Sequence, residues 1–169
     1  MKRFEQQVLV HLDAAYNFAR WLTHDEAGAE DAVQEACLRA FRFFEAQHGE
    51  SPKAWFMTIV RNACLDWLKA KRSRGLEEEL DEQMHAGELE SPDAAAGRAS
   101  EARWLRACIA TLPRDYREVL VLRELEELSY KEIGAIVGVP LGTVMSRLAR
   151  GRDLLQERLL AARRRMTTS

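Results

Sequence analysis

The chain has 169 residues, of which 47% are apolar and 31% are charged, and its formal net charge is −2. This length accommodates one medium domain or two small ones, and so large an apolar fraction excludes a disordered chain. No apolar run approaches the roughly 18 residues of a membrane span, and the first residues lack the apolar block of a signal peptide, which favours a cytoplasmic protein.

Apolar residues recur at helical spacing through the first part of the chain, and no alternating strand pattern interrupts them. Three helices are predicted there, over approximately residues 4–22, 27–44 and 53–72. A polar loop from Glu45 to Pro52 separates the last two helices. Because each helix has one apolar stripe, we expect the three to pack as a small bundle that occupies residues 1–75.

The second predicted helix has an apolar stripe that we expect to face inward. Its members are Ala29, Ala32, Val33, Ala36, Cys37, Ala40, Phe41 and Phe44. Leu38 lies instead on the outward face, among charged residues. An exposed apolar side chain in such a setting often contacts another protein, although a solvated helix face is the simpler interpretation.

The third predicted helix ends in a basic cluster beside aromatic residues. Between Arg61 and Arg74 there are five lysines or arginines and one carboxylate, Asp66, which gives a net charge of +4. Positive charge interleaved with aromatic rings suits a single nucleic-acid strand, whose bases stack and whose phosphates need neutralising. The alternative is that the cations are solvated and the rings fill the core, as we expect of Phe56 and Trp67.

An acidic stretch separates this bundle from the rest of the chain. Between Gly75 and Gly97 there are eight carboxylates and no lysine or arginine. This composition predicts a flexible linker over residues 76–99. A second helical unit is expected over residues 100–169, starting with an apolar helix around Trp104. The predicted fold class is therefore all-α, with two small helical domains joined by an acidic linker.

The stretch from Leu128 to Arg152 has the pattern of a helix-turn-helix. Ser129 and Glu132 form a capping-box start to the first helix, and Gly138-Val139-Pro140 ends it. Inward positions of the second helix are Val144, Leu148 and Leu155, and the outward ones include Thr143, Ser146, Arg147 and Arg150. Such a second helix is shaped to enter a DNA major groove.

The end of the chain is basic, which supports phosphate binding by this motif. From residue 143 to residue 169 there are seven arginines and two carboxylates, a net charge of +5. No catalytic set, nucleotide-binding glycine motif or metal-ligand spacing is present, and the three cysteines lie far apart within apolar patterns. The sequence thus predicts a DNA-binding protein, not an enzyme, with no cofactor and no metal.

Several runs of residues resemble the extracytoplasmic-function group of the sigma-70-type sigma factors of bacterial RNA polymerase. In the first half these are AEDAVQE at 29–35 and LRAF at 38–41, followed by WF at 55–56 and RN at 61–62. In the second half they are LP at 112–113, REV at 117–119, LSY at 128–130, EI at 132–133, GTV at 142–144 and SRL at 146–148, with Arg150. The order of these motifs is far more specific than the helix-turn-helix alone.

The resemblance implies a protein that binds core RNA polymerase and directs initiation at promoters, in response to stress or an envelope signal. It implies that the beta-prime clamp is contacted by Asp31, Gln34, Glu35, Leu38 and Arg39, with a further contact to the beta flap. It implies that the minus-ten element is contacted by Arg61, Asn62, Asp66, Lys69 and Arg72, with the loop from Glu45 to Pro52 holding a flipped base. It implies that the minus-thirty-five element is contacted by Thr143, Met145, Ser146, Arg147 and Arg150.

The family also implies an anti-sigma protein as a partner and a linker that occupies the RNA-exit path of the polymerase. Two positions depart from its pattern. Met145 stands where relatives usually have a lysine or arginine, so a phosphate or base contact is either lost or replaced by apolar contact with a thymine methyl. Ala149 is smaller than the residue often found there.

Other classes of protein remain alternatives from the residues alone. A transcription factor would use only the helix-turn-helix, which leaves the basic third helix and the exposed Leu38 unexplained. A regulator that mimics a sigma factor would not need arginines on both DNA faces. A hydrolase would need a nucleophile and a base, and the sequence offers no such pair.

Overall fold

A computed structural model describes residues 1–47, 49, 51–75 and 97–168. Its helices are α1 (Lys2–Gln7), α2 (Leu12–Thr23), α3 (Glu26–Phe43), α4 (Pro52–Ser73), α5 (Gly97–Ala110), α6 (Arg114–Leu120), α7 (Tyr130–Val137) and α8 (Leu141–Thr168). These residues contain no strand, and the all-α prediction is confirmed. The predicted linker lies outside the described residues up to residue 96, and α5 begins three residues before the expected start of the second unit.

The predicted first helix is wrong as a single element. The chain forms α1, a short 3-10 turn at Leu9–His11, and then α2. Val8 lies at the break with φ −116° and ψ −58°, and its side chain is fully buried. The break lets Phe4 meet the rings of Phe41 and Phe44 edge-on, each at 5.3 Å between centroids. Aromatic packing in the tertiary structure therefore overrides the local helical pattern.

Helices α2, α3 and α4 pack against one another as the bundle of the N-terminal unit. Local sequence sets where the last two begin. The Asp25 carboxylate accepts a hydrogen bond from the Gly28 amide at 2.9 Å, and the Ser51 hydroxyl accepts one from the Ala54 amide at 3.1 Å. Both residues thereby satisfy N–H groups that have no partner within their helices.

The C-terminal unit is formed by α5 to α8, and α8 packs against each of the other three. Helix α6 runs directly into a π-helical turn at Val121–Leu125, which ends before α7. Val119, Leu120 and Leu122 are buried there. On α5, Trp104 and Cys108 set the buried face, and Leu105 is 40% exposed.

The two units touch in the described arrangement. Helix α4 packs along α7, and α2 packs against α6. The buried residues of both units form one continuous apolar cluster. This contact places residues of the predicted minus-ten surface next to the C-terminal unit.

No single helix among the described residues is both long and apolar enough to cross a membrane. The helices Tyr130–Val137 and Leu141–Arg165 meet the length and composition test only as a pair, and they are bent by 98°.

Substitution of Gly28 tests the packing of α3 on α4. A Cβ atom at Gly28 would lie 2.4 Å from Cζ2 of Trp67, a rigid ring that has no flexible end to move aside. We expect Gly28→Ala to lower the free energy of unfolding by about 1–3 kcal/mol, measured by urea denaturation.

The control is the same substitution in a Trp67→Ala background. With the ring removed, alanine in a helix should be neutral or stabilising, by up to about 1 kcal/mol relative to glycine. Equal destabilisation in both backgrounds would contradict the packing described for this site.

Candidate nucleic-acid interface

The predicted helix-turn-helix is formed by α7 and α8. The Ser129 hydroxyl accepts a hydrogen bond from the Glu132 amide, and the Glu132 carboxylate accepts one from the Ser129 amide, each at 3.1 Å. This is the capping box that the sequence predicts. Gly138 then ends α7 with φ +73°, a conformation that glycine adopts without strain.

Buried residues fix which side of α8 faces outward. Val144 and Leu148 are buried, and a Cβ atom at Gly151 would lie 3.1 Å from a methyl carbon of Leu120. Over the first three turns, the opposite side of the helix carries five exposed residues, which are Gly142, Met145, Ser146, Ala149 and Arg150. This side is the face that could enter a DNA groove.

The five predicted minus-thirty-five residues divide into two groups in the structure. Met145, Ser146 and Arg150 are exposed on the outward face of α8. Thr143 and Arg147 are half-buried at its edge, and the Arg147 guanidinium lies 3.9 Å from the Asp115 carboxylate. Because they lie beside the outward face and not on it, these two residues are better placed to contact DNA phosphates than base edges.

Part of the basic character of the C-terminal segment is used inside the protein. Arg152 donates a hydrogen bond to Glu124 at 2.9 Å, and this bond raises the pKa of the Arg152 guanidinium. Arg158 donates hydrogen bonds to the backbone and side chain of Thr111. These two arginines bind α8 to the rest of its own unit. The number of positive charges available to DNA is therefore smaller than the net charge of the sequence indicates.

The predicted polymerase-binding residues form one stripe along α3. Asp31, Gln34, Glu35 and Leu38 are exposed, and Arg39 is half-buried at the edge. Leu38 is 65% exposed, as its place on the outward face predicts. The stripe therefore has the composition of a protein contact, with one apolar residue surrounded by charged and polar ones.

Phe41 belongs to this stripe, although the sequence analysis placed it inward. It is 57% exposed and follows Leu38 by one helical turn, and only its edge meets the Phe4 ring. The prediction was wrong because apolar residues occur around more than one side of the helix near its C-terminal end. Ala40 and Phe44 fill the core there, and Phe41 points away from it. The spacing of three from Leu38 was the signal that could have identified it.

Arg39 connects the stripe on α3 to the predicted minus-ten surface on α4. Its guanidinium bonds to the Glu35 carboxylate at 3.1 Å and to the Asp66 carboxylate at 3.0 Å. Asn62, Asp66 and Lys69 share one exposed side of α4, and Arg72 is exposed one turn further along. The two predicted surfaces are therefore neighbours that share an ion pair. His48 and Glu50 of the predicted base-holding loop lie outside the described residues.

Arg61 does not join the other predicted minus-ten residues. It forms two hydrogen bonds to the carboxylate of Glu118 on α6, at 2.8 and 3.1 Å. The Glu118 side chain is fully buried and that of Arg61 is 15% exposed. Nearby, Lys53 bonds to the backbone carbonyl of Glu126 at 3.2 Å and lies 3.4 Å from its carboxylate. The C-terminal unit thus covers this edge of α4.

The cysteines have the character of packing residues. Cys64 and Cys108 are buried and Cys37 is half-buried. Burial raises the pKa of the Cys64 thiol to about 12, so the reactive thiolate is suppressed. Among the residues that the structure describes, no group of three or more metal-ligating side chains comes together.

Comparison with known families matches both units. Sigma-70 region 2 matches residues 8–74, and Sigma-70 region 4 matches residues 102–155. The first match contains α2 to α4, with the α3 stripe and the exposed side of α4. The second contains the helix-turn-helix.

Curated relatives have the same family name. The chain is 31% identical to the ECF RNA polymerase sigma-E factor of Haemophilus influenzae, over 76% of this chain and 73% of the relative. It is 32% identical to the Escherichia coli K12 protein of that name, over 76% and 72%. It is 33% identical to the ECF sigma factor SigE of Mycolicibacterium smegmatis over 94% of this chain, but it spans only 62% of that relative.

Solved structures agree in fold. The sigma factor RpoE from Bartonella quintana, crystallised with the anti-sigma factor NepR, superposes with a TM-score of 0.69 and 30% identity, over 94% of this chain and 98% of that one. CnrH, solved with the cytosolic domain of CnrY, gives a TM-score of 0.66 at 23% identity, over 95% and 90%. With two region matches in order and relatives above 30% identity over most of both chains, the protein belongs to the ECF family of RNA polymerase sigma factors.

Proposed function

We propose that this chain binds core RNA polymerase through the α3 stripe and directs it to promoters through two separate DNA contacts. The observation that supports this division is that α3 and α8 each present an outward face, one mixed apolar and acidic and the other carrying Ser146 and Arg150. The acidic stripe would repel DNA phosphates and so suits a protein partner. The face of α8 has the donors that read guanine edges or bind phosphates.

The proposal assigns the minus-ten element to the N-terminal unit and the minus-thirty-five element to the C-terminal unit. Asn62, Asp66 and Lys69 would meet the separated strand, with Arg72 and Arg61 contacting its phosphates. The domain division is that of the sequence analysis, with residues 1–75 as region 2, 76–99 as linker and 100–169 as region 4. The chain would act in the cytoplasm and have no catalytic activity of its own.

The described arrangement cannot bind both promoter elements at once. The centres of the minus-thirty-five and minus-ten elements are about 25 base pairs apart, which is about 85 Å at roughly 3.4 Å per base pair. A compact chain of this length has a radius of gyration of only about 15 Å. The stretch from Gly75 to Gly97 can span up to about 75 Å when extended, and each unit adds its own width. We therefore infer that the two units separate before the promoter is bound.

Separation also releases Arg61. In the touching arrangement the guanidinium is held by Glu118 and is not available to a DNA strand. Polymerase and promoter would then have to compensate the loss of a buried ion pair. By analogy with RpoE, which was crystallised with an anti-sigma factor, a restraining protein that binds both units is a further proposed partner.

Two other classes of function fit less well. A transcription factor that uses only α7 and α8 would not need an exposed Leu38 and Phe41 on α3. A mimic that captures sigma partners without binding DNA would not need Arg150 on the outward face of α8.

Neutralising Glu118 tests the contact between the units. Removing one partner of a buried ion pair costs about 3–5 kcal/mol, and this cost falls on the touching arrangement only, because water solvates Arg61 once the units part. We expect Glu118→Gln to increase the radius of gyration measured by small-angle X-ray scattering.

Two comparison variants separate this effect from a general one. Glu124→Gln removes an exposed ion pair within the C-terminal unit, and it should leave the radius unchanged. The exchange Arg61→Glu with Glu118→Arg should restore part of the compactness. An unchanged radius in Glu118→Gln would contradict the role given to this pair.

The division of labour between the two faces is tested by Glu35→Lys and Arg150→Ala. Reversing the charge on the α3 stripe should weaken binding to core polymerase, measured by fluorescence anisotropy. Removing Arg150 should leave that binding intact and weaken promoter binding of the assembled enzyme by about 10- to 150-fold, since a good base contact is worth about 1–3 kcal/mol.

Glu101→Lys on α5 makes the same charge change as Glu35→Lys at another exposed site and should not affect core binding. Promoter use is measured as run-off transcription from a library of genomic promoters. Equal loss of core binding in Glu35→Lys and Arg150→Ala would contradict the proposal, as would failure of the wild-type chain to add any start site to core enzyme.

A further inference from the structure

Two large apolar side chains are exposed at the start of α8. Leu141 is 53% exposed and Met145 is 51% exposed. They are four residues apart, so they lie side by side along the helix surface. Val144 and Leu148 are buried on the adjoining side of the helix, whereas Leu141 and Met145 remain largely exposed at its margin.

The outward face of α8 divides into an apolar edge and a polar edge. Successive residues are rotated by about 100° around a helix, which puts Met145 and Ala149 along one edge and Ser146 and Arg150 along the other. Gly142 lies between the two edges. Because Ala149 and Gly142 are small, no neighbouring side chain on this face shields Met145 from a surface that approaches it.

The surroundings of this apolar edge favour DNA over a protein as its occupant. Arg150 is exposed on the same face and Arg147 lies at its margin. The beginning of a helix also carries partial positive charge from its amide groups. A surface with this charge attracts a polyanion, and the turn between α7 and α8 presents it at the part of the helix that enters a groove in helix-turn-helix proteins.

We propose that Met145, flanked by Leu141, recognises a thymine in the minus-thirty-five element by packing on its 5-methyl group. The proposal rests on the proposed function, because it requires that α8 enter the major groove. The thymine methyl is the one apolar group that base edges present in that groove. A methionine side chain is unbranched and adaptable, so it can follow the position of the methyl group.

The arrangement predicts the character of the promoter sequence that the helix prefers. The polar edge with Arg150 suits a guanine, and the apolar edge suits a thymine. The preferred element therefore contains a guanine and a thymine close enough together for one helix to contact both. The methyl contact adds discrimination without any hydrogen bond. Burying one methyl group contributes about fourfold to binding (about 0.8 kcal/mol).

Replacing thymine by deoxyuridine tests the contact, because this change removes only the methyl group. The probe is a promoter selected from the run-off library, synthesised with each thymine of the minus-thirty-five element replaced in turn on either strand. We expect one replacement to weaken binding of core polymerase with the wild-type chain about three- to fivefold. When the chain carries Met145→Ala, the promoter with thymine and the promoter with deoxyuridine at that position should be bound with equal affinity.

Leu160→Ala is the matched control, since Leu160 is an exposed apolar residue further along α8. This variant should keep the full difference between thymine and deoxyuridine. If no position loses affinity in a manner that depends on Met145, the proposal is wrong. It is also wrong if Met145→Ala weakens binding to core polymerase without DNA, which would identify the edge as a protein contact.

These outcomes are distinct from failure of the proposed function. If the wild-type chain binds core polymerase and uses the selected promoter, the function holds whether or not a methyl group is recognised. If it does neither, the function fails before any deoxyuridine probe is used.

Discussion

The ion pair between Arg61 and Glu118 constrains how the two units meet, because it is buried beside the apolar contact between them. Glu118 is fully buried, and Arg61 of the other unit donates two hydrogen bonds to its carboxylate. A buried charge that loses its partner is costly, so removing either group should weaken the joined arrangement. In the joined state the pair also withholds one cation from the surface that is proposed to bind the minus-ten strand.

Ion pairs also connect the candidate surfaces to one another and to the rest of each unit. The stripe on α3 that is proposed to bind polymerase is joined to the exposed side of α4 by Arg39, which bonds to a carboxylate on each helix. Binding of a protein to one surface would thus change the electrostatic environment of the other. On the C-terminal unit, Arg152 and Arg158 hold α8 in place, whereas Arg150 and Met145 are exposed on its outward face. Position on the helix separates structural arginines from those proposed to bind DNA.

Local chemistry explains why much of the fold was predictable. The capping box at Ser129 and Glu132, the left-handed Gly138 and the caps at Asp25 and Ser51 are decided within a few residues, and the structure has the capping box and the glycine as predicted. Burial on α4 and α8 followed the three-four spacing at Phe56, Val144 and Leu148. The break at Val8 could not be obtained in this way, because it accompanies a tertiary contact of Phe4 with Phe41 and Phe44. The exposure of Phe41 was also missed, because Ala40 and Phe44 fill the core beside it.

The sequence by itself determined the helical class and the helix-turn-helix, since both are encoded in spacing and in short-range hydrogen bonds, and the resemblance of its motifs indicated the family. Only the tertiary structure decided which residues of the candidate surfaces are available. It paired Arg61 with Glu118 and Arg147 with Asp115, and it left Met145 exposed on the outward face of α8. The physical reason is that a charge or an apolar group acquires its role from what lies within a few ångströms of it. Those neighbours come from parts of the chain tens of residues away.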